Sequence, residues 1–301
     1  MTGPSSEDVR AEATVKNAAE SAAEAAAEVA AEAGKTAEVA AEAAGVRIAE
    51  LFDLGEFERV RRLFDEIWRS ESGDTPISVE LMRALSHAGN YVAGAYRDDL
   101  LVGASVGFLA APAGHVLHSH VTGAPSGRGV GFALKQHQRA WALERGLEHV
   151  TWTYDPLVRR NAHFNLVKLG ARPESYLPSF YGTMDDAINV GDESDRILVR
   201  WRLNAPHVIA AAAGDPYPPV VPAGAAAGLR DQYDRPVVGA VDAAVILVAV
   251  PRDVETLRRA DPRAARAWRR AVREVLGGLL GQGAAVTGFH PESGYIVERT
   301  G

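Results

Sequence analysis

The stretch HVLHSHVTGAPSGRGVGFAL, from His115 to Leu134, constrains this chain more than any other. An apolar run reads as a strand, a tight turn follows with glycine at 127, 129 and 131, and then a helical pattern opens. Glycine at every second residue lets successive backbone N–H groups converge on one point where side chains would otherwise crowd, which is how a chain builds an anion nest. The helix adds the unpaired donors and partial positive charge of its N-terminus, so a phosphate or pyrophosphate is the expected guest. Two common phosphate motifs do not fit. The last glycine position of a G-x-G-x-x-G fingerprint starting at Gly129 falls on Leu134, and the Gly-Lys-Ser/Thr of a P-loop is absent.

These residues resemble the GNAT acyltransferase signature Q/R-x-x-G-x-G/A, here Ser126-Gly127-Arg128-Gly129-Val130-Gly131. Together with HSHVTG, GRGVGFALKQHQRAWALERG, TWTYDPLVRRNAHFNLVKLGA, YLPSFYG and DESDRILVRW, they are similar to one bacterial GNAT subfamily from about Val46 to Leu203, continuing into the C-terminal segment. Ser126 departs from the pattern, standing where a long polar side chain is usual, and the loop before it is shorter than usual.

The resemblance implies an α/β (α+β) fold of the GNAT acyl-CoA N-acyltransferase type. Its sheet is mixed and mostly antiparallel, with splayed central parallel strands, and a small C-terminal α/β unit is added. It also implies acetyl-CoA or another acyl-CoA as co-substrate. Gly127, Arg128, Gly129, Val130, Gly131 and Phe132 would wrap its pyrophosphate, Val121 and Thr122 would pair with the pantetheine arm, and Asn161, Phe164 and Asn165 would meet that arm from the next helix.

With 301 residues the chain has room for one large domain or two ordinary ones. It has no cysteine, which excludes disulfides, thiolate metal sites and cysteine nucleophiles. No apolar run approaches membrane-spanning length, and the N-terminus lacks a basic region followed by an apolar one. A cytoplasmic protein with no membrane partner is therefore expected. Residues 1–45 hold nine acidic residues against three basic ones and so carry −6 of the net charge of −7. The remainder is near neutral, and no basic field argues for nucleic acid.

Those first 45 residues are rich in alanine and glutamate, with Glu20, Glu24, Glu28 and Glu32 at helical spacing. Alanine favours helix while the stacked like charges oppose it, and a partly helical, mobile extension outside the catalytic fold is expected. A docking or oligomerisation helix is the alternative, and a homodimer is compatible with it. The acyltransferase domain is expected over 46–204. Asp53 and Glu56 start a helix with Phe57, Val60, Phe64 and Ile67 on one stripe, and Ser78 caps a second. An antiparallel meander follows over Tyr91–Tyr96, Leu101–Leu109 and His115–Thr122, and His149–Tyr154 is its parallel crossover neighbour. Residues 205–240 read as a Pro/Gly/Ala-rich linker, and 241–301 as a C-terminal α/β subdomain packed on the core, with a hairpin about Ser293-Gly294.

In the GNAT arrangement the splayed strand ends would put His118, His120, Tyr154 and Asp155 near the thioester. His120 is the first candidate for general base and His118 the second, because imidazole can take the proton of an ammonium acceptor near neutrality. Both also read as packed or substrate-orienting histidines. The general acid usual on the following helix is replaced by Leu166, which leaves Tyr181 and Tyr154 as candidates and Tyr176 behind them. Arg128, Lys135, Arg159 and Arg160 are candidates for the phosphates. No metal is expected, since the histidines lack a clear third ligand.

The function expected is an acyl-CoA-dependent N-acyltransferase, with acetyl-CoA the default donor, acting on a small-molecule amine such as an amino acid by direct attack in a ternary complex. Succinyl-CoA with amino acid acceptors is one alternative, which would want Arg159 or Arg172 in the pocket. A non-catalytic CoA-binding regulatory module is another.

Overall fold

Short apolar runs joined by tight turns build the first half of the main sheet. In the computed structural model, which describes residues 6–68, 76–125, 127–182, 192–216 and 218–299, β1 (Arg47–Glu50), β2 (Val92–Arg97), β3 (Leu100–Ala110) and β4 (Val116–Gly123) pair antiparallel in chain order. Asp98 makes the β2–β3 turn at φ 53°, a left-handed conformation that aspartate tolerates better than bulkier residues. Two helices, α2 (Leu54–Trp68) and α3 (Val79–His87), lie between β1 and β2 in sequence. They lay Phe57, Val60, Phe64 and Met82 on Val92, Ala104 and Val106, covering one face of the sheet.

The other face is covered by α4 (Val130–Glu144), which carries the chain across to β5 (His149–Tyr154), parallel to β4. After α5 (Arg159–His163) and a π-helical turn over Phe164–Lys168 come β6 (Arg172–Leu177) and β7 (Arg196–Arg202). The strand order is β1-β2-β3-β4-β5-β7-β6, in which only β4 and β5 run parallel.

The N-terminal segment departs from the mobile extension expected of it. It forms α1 (Ser6–Ala44), and Ala30, Ala33, Ala37, Ala40 and Ala44 are buried at alternating spacings of three and four. Within the core, Ala40 and Ala44 lie with Val130, Ala133 and Leu134 of α4. Alanine's small side chain buries little area at each position. Here it lets two helices approach closely, and docking makes α4 a helix sandwiched between α1 and the sheet.

The stretch read as a linker is also folded. Pro206 opens α6 (Pro206–Ala212), and β8 (Ala226–Gln232) and β9 (Arg235–Val238) form a hairpin whose turn residues Tyr233 and Asp234 have φ of 55° and 59°. Its glycines serve close approach: a Cβ on Gly239 would lie 2.1 Å from the Ala227 carbonyl oxygen. The chain ends with β10 (Val245–Val248), α7 (Val254–Ala260), α8 (Pro262–Val272), a π turn over Arg273–Gly277, α9 (Gly278–Gly281), β11 (Ala285–His290) and β12 (Gly294–Glu298). The second sheet runs β11-β12-β10-β8-β9. One apolar core joins the two sheets, from Trp152 and Trp201 to Trp268 and Tyr295.

No helix among the described residues is long and apolar enough to cross a membrane. Ala33 is 1% exposed and Ala27 is exposed. Ala33→Glu should therefore lower stability by about 2 kcal/mol in thermal or urea melts, while Ala27→Glu should stay within about 0.5 kcal/mol of the parent.

Candidate functional site

Pairing between β4 and β5 stops early. It runs only through Val116↔His149, Leu117↔Val150 and His118↔Thr151, although the strands continue to Gly123 and Tyr154. Val106 pairs with Val121 and Gly107 with Ser119, so His120 is an extra residue bulged out of the β3–β4 ladder. Such a bulge bends its strand, here where β4 parts from β5. A groove of about 830 Å³ occupies the gap.

At the mouth of the groove stands the glycine turn. Gly127 and Gly129 have φ of 81° and 74°, and the first helical hydrogen bond of α4 is Ala133 N–H to the Gly129 carbonyl, 2.9 Å. The N–H groups of Val130, Gly131 and Phe132 therefore have no partner within the helix, and N-cap Gly129 has no side chain to cap them. A Cβ on Gly131 would meet nothing within 4 Å, whereas one on Gly129 would lie 3.5 Å from the Ala44 Cβ. The end of α1 thus leans on the turn. Phe132 lines the groove; the Val130 side chain is buried core, and Arg128 is exposed on the turn. Ser126 lies outside the described residues.

Along the walls, Thr122 lines the groove and its hydroxyl meets that of Ser105 at 2.8 Å, while Val121 packs into the α2–α3 core. Asn161, Phe164, Asn165 and Lys168 all face the groove. A π turn begins at Phe164, which shares this wall with the asparagines. Asn165 Oδ1 accepts from the Trp152 indole at 3.2 Å, fixing which end of the amide remains for a ligand.

Lys135 sits where no simple pattern put it. Expected at the phosphates, it is 4% exposed on the inner wall, donating to Ser119 Oγ at 2.7 Å and Gln138 Oε1 at 3.1 Å, with its ammonium 4.1 Å from the Trp152 ring centre. Burial lowers its pKa from 10.5 to about 7. The missing signal was the sheet: Lys135 meets Ser119 of β4 and Trp152 of β5, and Gln138 donates to Ser105 of β3, so polar residues of α4 are interior on its sheet side.

On the opposite face, Phe108 lies between His118 and His120, with ring centroids 5.2 and 5.9 Å away. His120 is exposed and borders the groove; its Nε2 donates to the Pro76 carbonyl at 3.2 Å, so in the neutral ring Nδ1 holds the lone pair. His118 closes the apex of the parted strands through Nδ1 and Thr151 Oγ1 at 3.1 Å. Burial, then the charges of His120 and Lys135, push it down to about 4.

Several candidates prove to be engaged elsewhere. Tyr154 lines the groove, but its hydroxyl donates to that of Tyr295 at 3.3 Å and burial raises its pKa. Tyr176 donates to Asp195 Oδ2 at 2.6 Å, and burial and that carboxylate raise it further. Tyr181 remains exposed, its hydroxyl 3.3 Å from Thr153 Oγ1 and its ring under the Arg196 guanidinium. Asp155 is no thioester neighbour. It is buried against Arg258 (2.6 Å) and Arg269 (2.7 and 2.9 Å); burial opposes its ionisation, but the arginines hold its carboxyl well below the usual range. Arg159 donates to the carbonyls of Pro291 and Val250, Arg160 lines the groove with its guanidinium forked onto Glu255, and Arg172 lines other cavities beside Glu174 and Thr287. Neither Arg159 nor Arg172 lines the groove, so neither supplies the cation that a succinyl donor was expected to need. No group of three or more His, Cys, Asp or Glu among the described residues is placed to hold a metal ion.

An antiparallel meander, a parallel crossover strand that parts from its neighbour beside a bulge, and a glycine turn at the helix between them define one topology. The seven-stranded sheet has the mixed, mostly antiparallel order with a parted central parallel pair that the resemblance to GNAT acyltransferases implies. No protein-family model and no curated protein matches the chain. Solved structures similar to it include aminoglycoside 6'-acetyltransferase type Ii, at 20% identity over 53% of this chain and 98% of that one, TM-score 0.43. Others are yncA from Salmonella typhimurium with its cofactor acetyl-CoA (14%, 53% and 95%, 0.43) and the ribosomal-protein-S18-alanine N-acetyltransferase from Escherichia coli (12%, 53% and 95%, 0.43).

The Lys135 environment has a testable cost. The unfolded chain keeps the proton up to pH 10.5 but the folded core gives it up near 7, so unfolding takes up a proton between these values and stability rises with pH across them. Lys135→Met should stabilise the protein by about 3 kcal/mol at pH 6, shrinking toward zero as pH approaches 10, read from melts at both pH values.

Proposed function

We propose that this chain is an acyl-CoA-dependent N-acyltransferase, with acetyl-CoA as its default donor and a small-molecule amine such as an amino acid as acceptor. The observation that carries the proposal is the glycine turn, with the free N–H groups of Val130, Gly131 and Phe132, at the mouth of the groove between β4 and β5. Those amides and the α4 dipole suit a diphosphate, and the groove suits the extended arm attached to it.

Past His118↔Thr151 the facing backbone groups of β4 and β5 have no partner in each other, so they are available to the amides of a pantetheine arm and to the oxyanion of a tetrahedral intermediate. His120 takes the proton of the acceptor ammonium at Nδ1, the amine attacks the thioester carbonyl, and Tyr181 gives a proton to the departing thiolate. His118 orients rather than titrates, since it is neutral well below physiological pH.

A thiol-release assay with acetyl-CoA across amino acids and small amines tests the proposal. Turnover supports it; coenzyme A affinity without turnover on any acceptor turns the reading to a non-catalytic module, and neither binding nor turnover rejects both. Gly131→Val should fold normally, because Gly131 has helical φ and open space beside it, yet weaken coenzyme A binding by at least about ten-fold in calorimetry. His120→Ala should lower kcat about 10²- to 10⁴-fold with little change in donor affinity, and Tyr181→Phe should lower kcat by less.

A further inference from the structure

The chain has only four lysines, Lys16, Lys35, Lys135 and Lys168, against twenty-eight arginines. Lys35 is exposed and paired with Glu32, and Lys168 is exposed. Lys135 alone among the described lysine side chains is buried, and it lies on the wall of the groove that the proposed donor would occupy.

Its partners are neutral. Ser119 Oγ and Gln138 Oε1 accept from the amine, and the face of Trp152 lies beside it. A neutral primary amine has two N–H donors and one lone pair; Ser119 and Gln138 use the donors and leave the lone pair uncommitted. Ser119 is one residue beyond the last β4–β5 pair, beside the bulge, so the amine reaches from α4 to the point where the strands have just parted. The same burial that removes its charge near neutrality supplies the nucleophilic form of an amine.

We propose that Lys135 is a self-acylation site: when no amine acceptor is present, its Nζ takes the acyl group from the acyl-CoA held in the groove. This rests on the donor-binding reading given under Proposed function. The Lys135 lone pair attacks the thioester carbonyl carbon, a C–N bond forms and the C–S bond breaks. The sulfur leaves with the bonding pair and takes up the proton shed by nitrogen, giving an Nε-acyl-lysine and free coenzyme A. The amide is uncharged and larger than the amine, so it fills part of the groove and weakens binding of the next donor.

Mass spectrometry of the full-length protein incubated with acetyl-CoA and no acceptor tests this, with acetyl-CoA binding measured by calorimetry on the same preparation. The expected result is one added acetyl group, mapped to Lys135, forming at least about ten-fold faster than any acetylation of the surface Lys35 and suppressed by excess coenzyme A. Lys135→Met, its fold checked by melting, should not acquire it. If acetyl-CoA binds and Lys135 stays unmodified, or is modified no faster than Lys35, self-acylation is overturned while the donor-binding reading stands. If acetyl-CoA does not bind, that reading fails and self-acylation falls with it.

Discussion

The short truce between β4 and β5 governs the rest of the molecule. Three residue pairs hold the strands together, and beyond His118↔Thr151 each presents backbone donors and acceptors that the other no longer satisfies. Buried backbone polar groups do not stay unpaired, so a gap of this kind must be filled by water or by something peptide-like. The bulge at His120 enforces the parting, and the glycine turn gives the resulting slot a charged end. Strand register thus does in this chain what a side-chain constellation does in many binding sites.

Much of this was legible in the residues. Glycine spacing marked the anion nest, and the strand–turn–helix around it gave the meander and the parallel crossover. What could not be read was anything that depends on a distant surface. The alanines of α1 look featureless until α4 is laid beside them, and Lys135 and Gln138 look like surface residues until α4 is laid on the strands that carry Ser119, Trp152 and Ser105. Arginine shows the same limit from the other side. Arg159 and Arg160 have the charge to meet phosphate, but Val250 and Pro291 after β10 and β11, and Glu255 of α7, engage them. Tyr154 likewise loses its freedom to Tyr295, a residue 141 positions away.

The second sheet is therefore more than an appendage. It shares an apolar core with the first, and it decides which polar groups near the groove stay available to a ligand. Through Tyr295 and Arg159 it fixes the segment leading from β5 into α5, and so the asparagines that face the slot.

One contact set between the halves carries a consequence for inheritance. Asp155 and Asp192 meet Arg258 and Arg269 where all four are nearly excluded from solvent. Removing a single member would strand an opposite charge in a medium that cannot hydrate it, a loss of several kcal/mol, whereas removing an acid and a base together need cost little. The four should therefore pass from ancestor to descendant as a block, exchanged in oppositely charged couples, so that pairwise covariation at these positions would trace how long the two sheets have been evolving as one body.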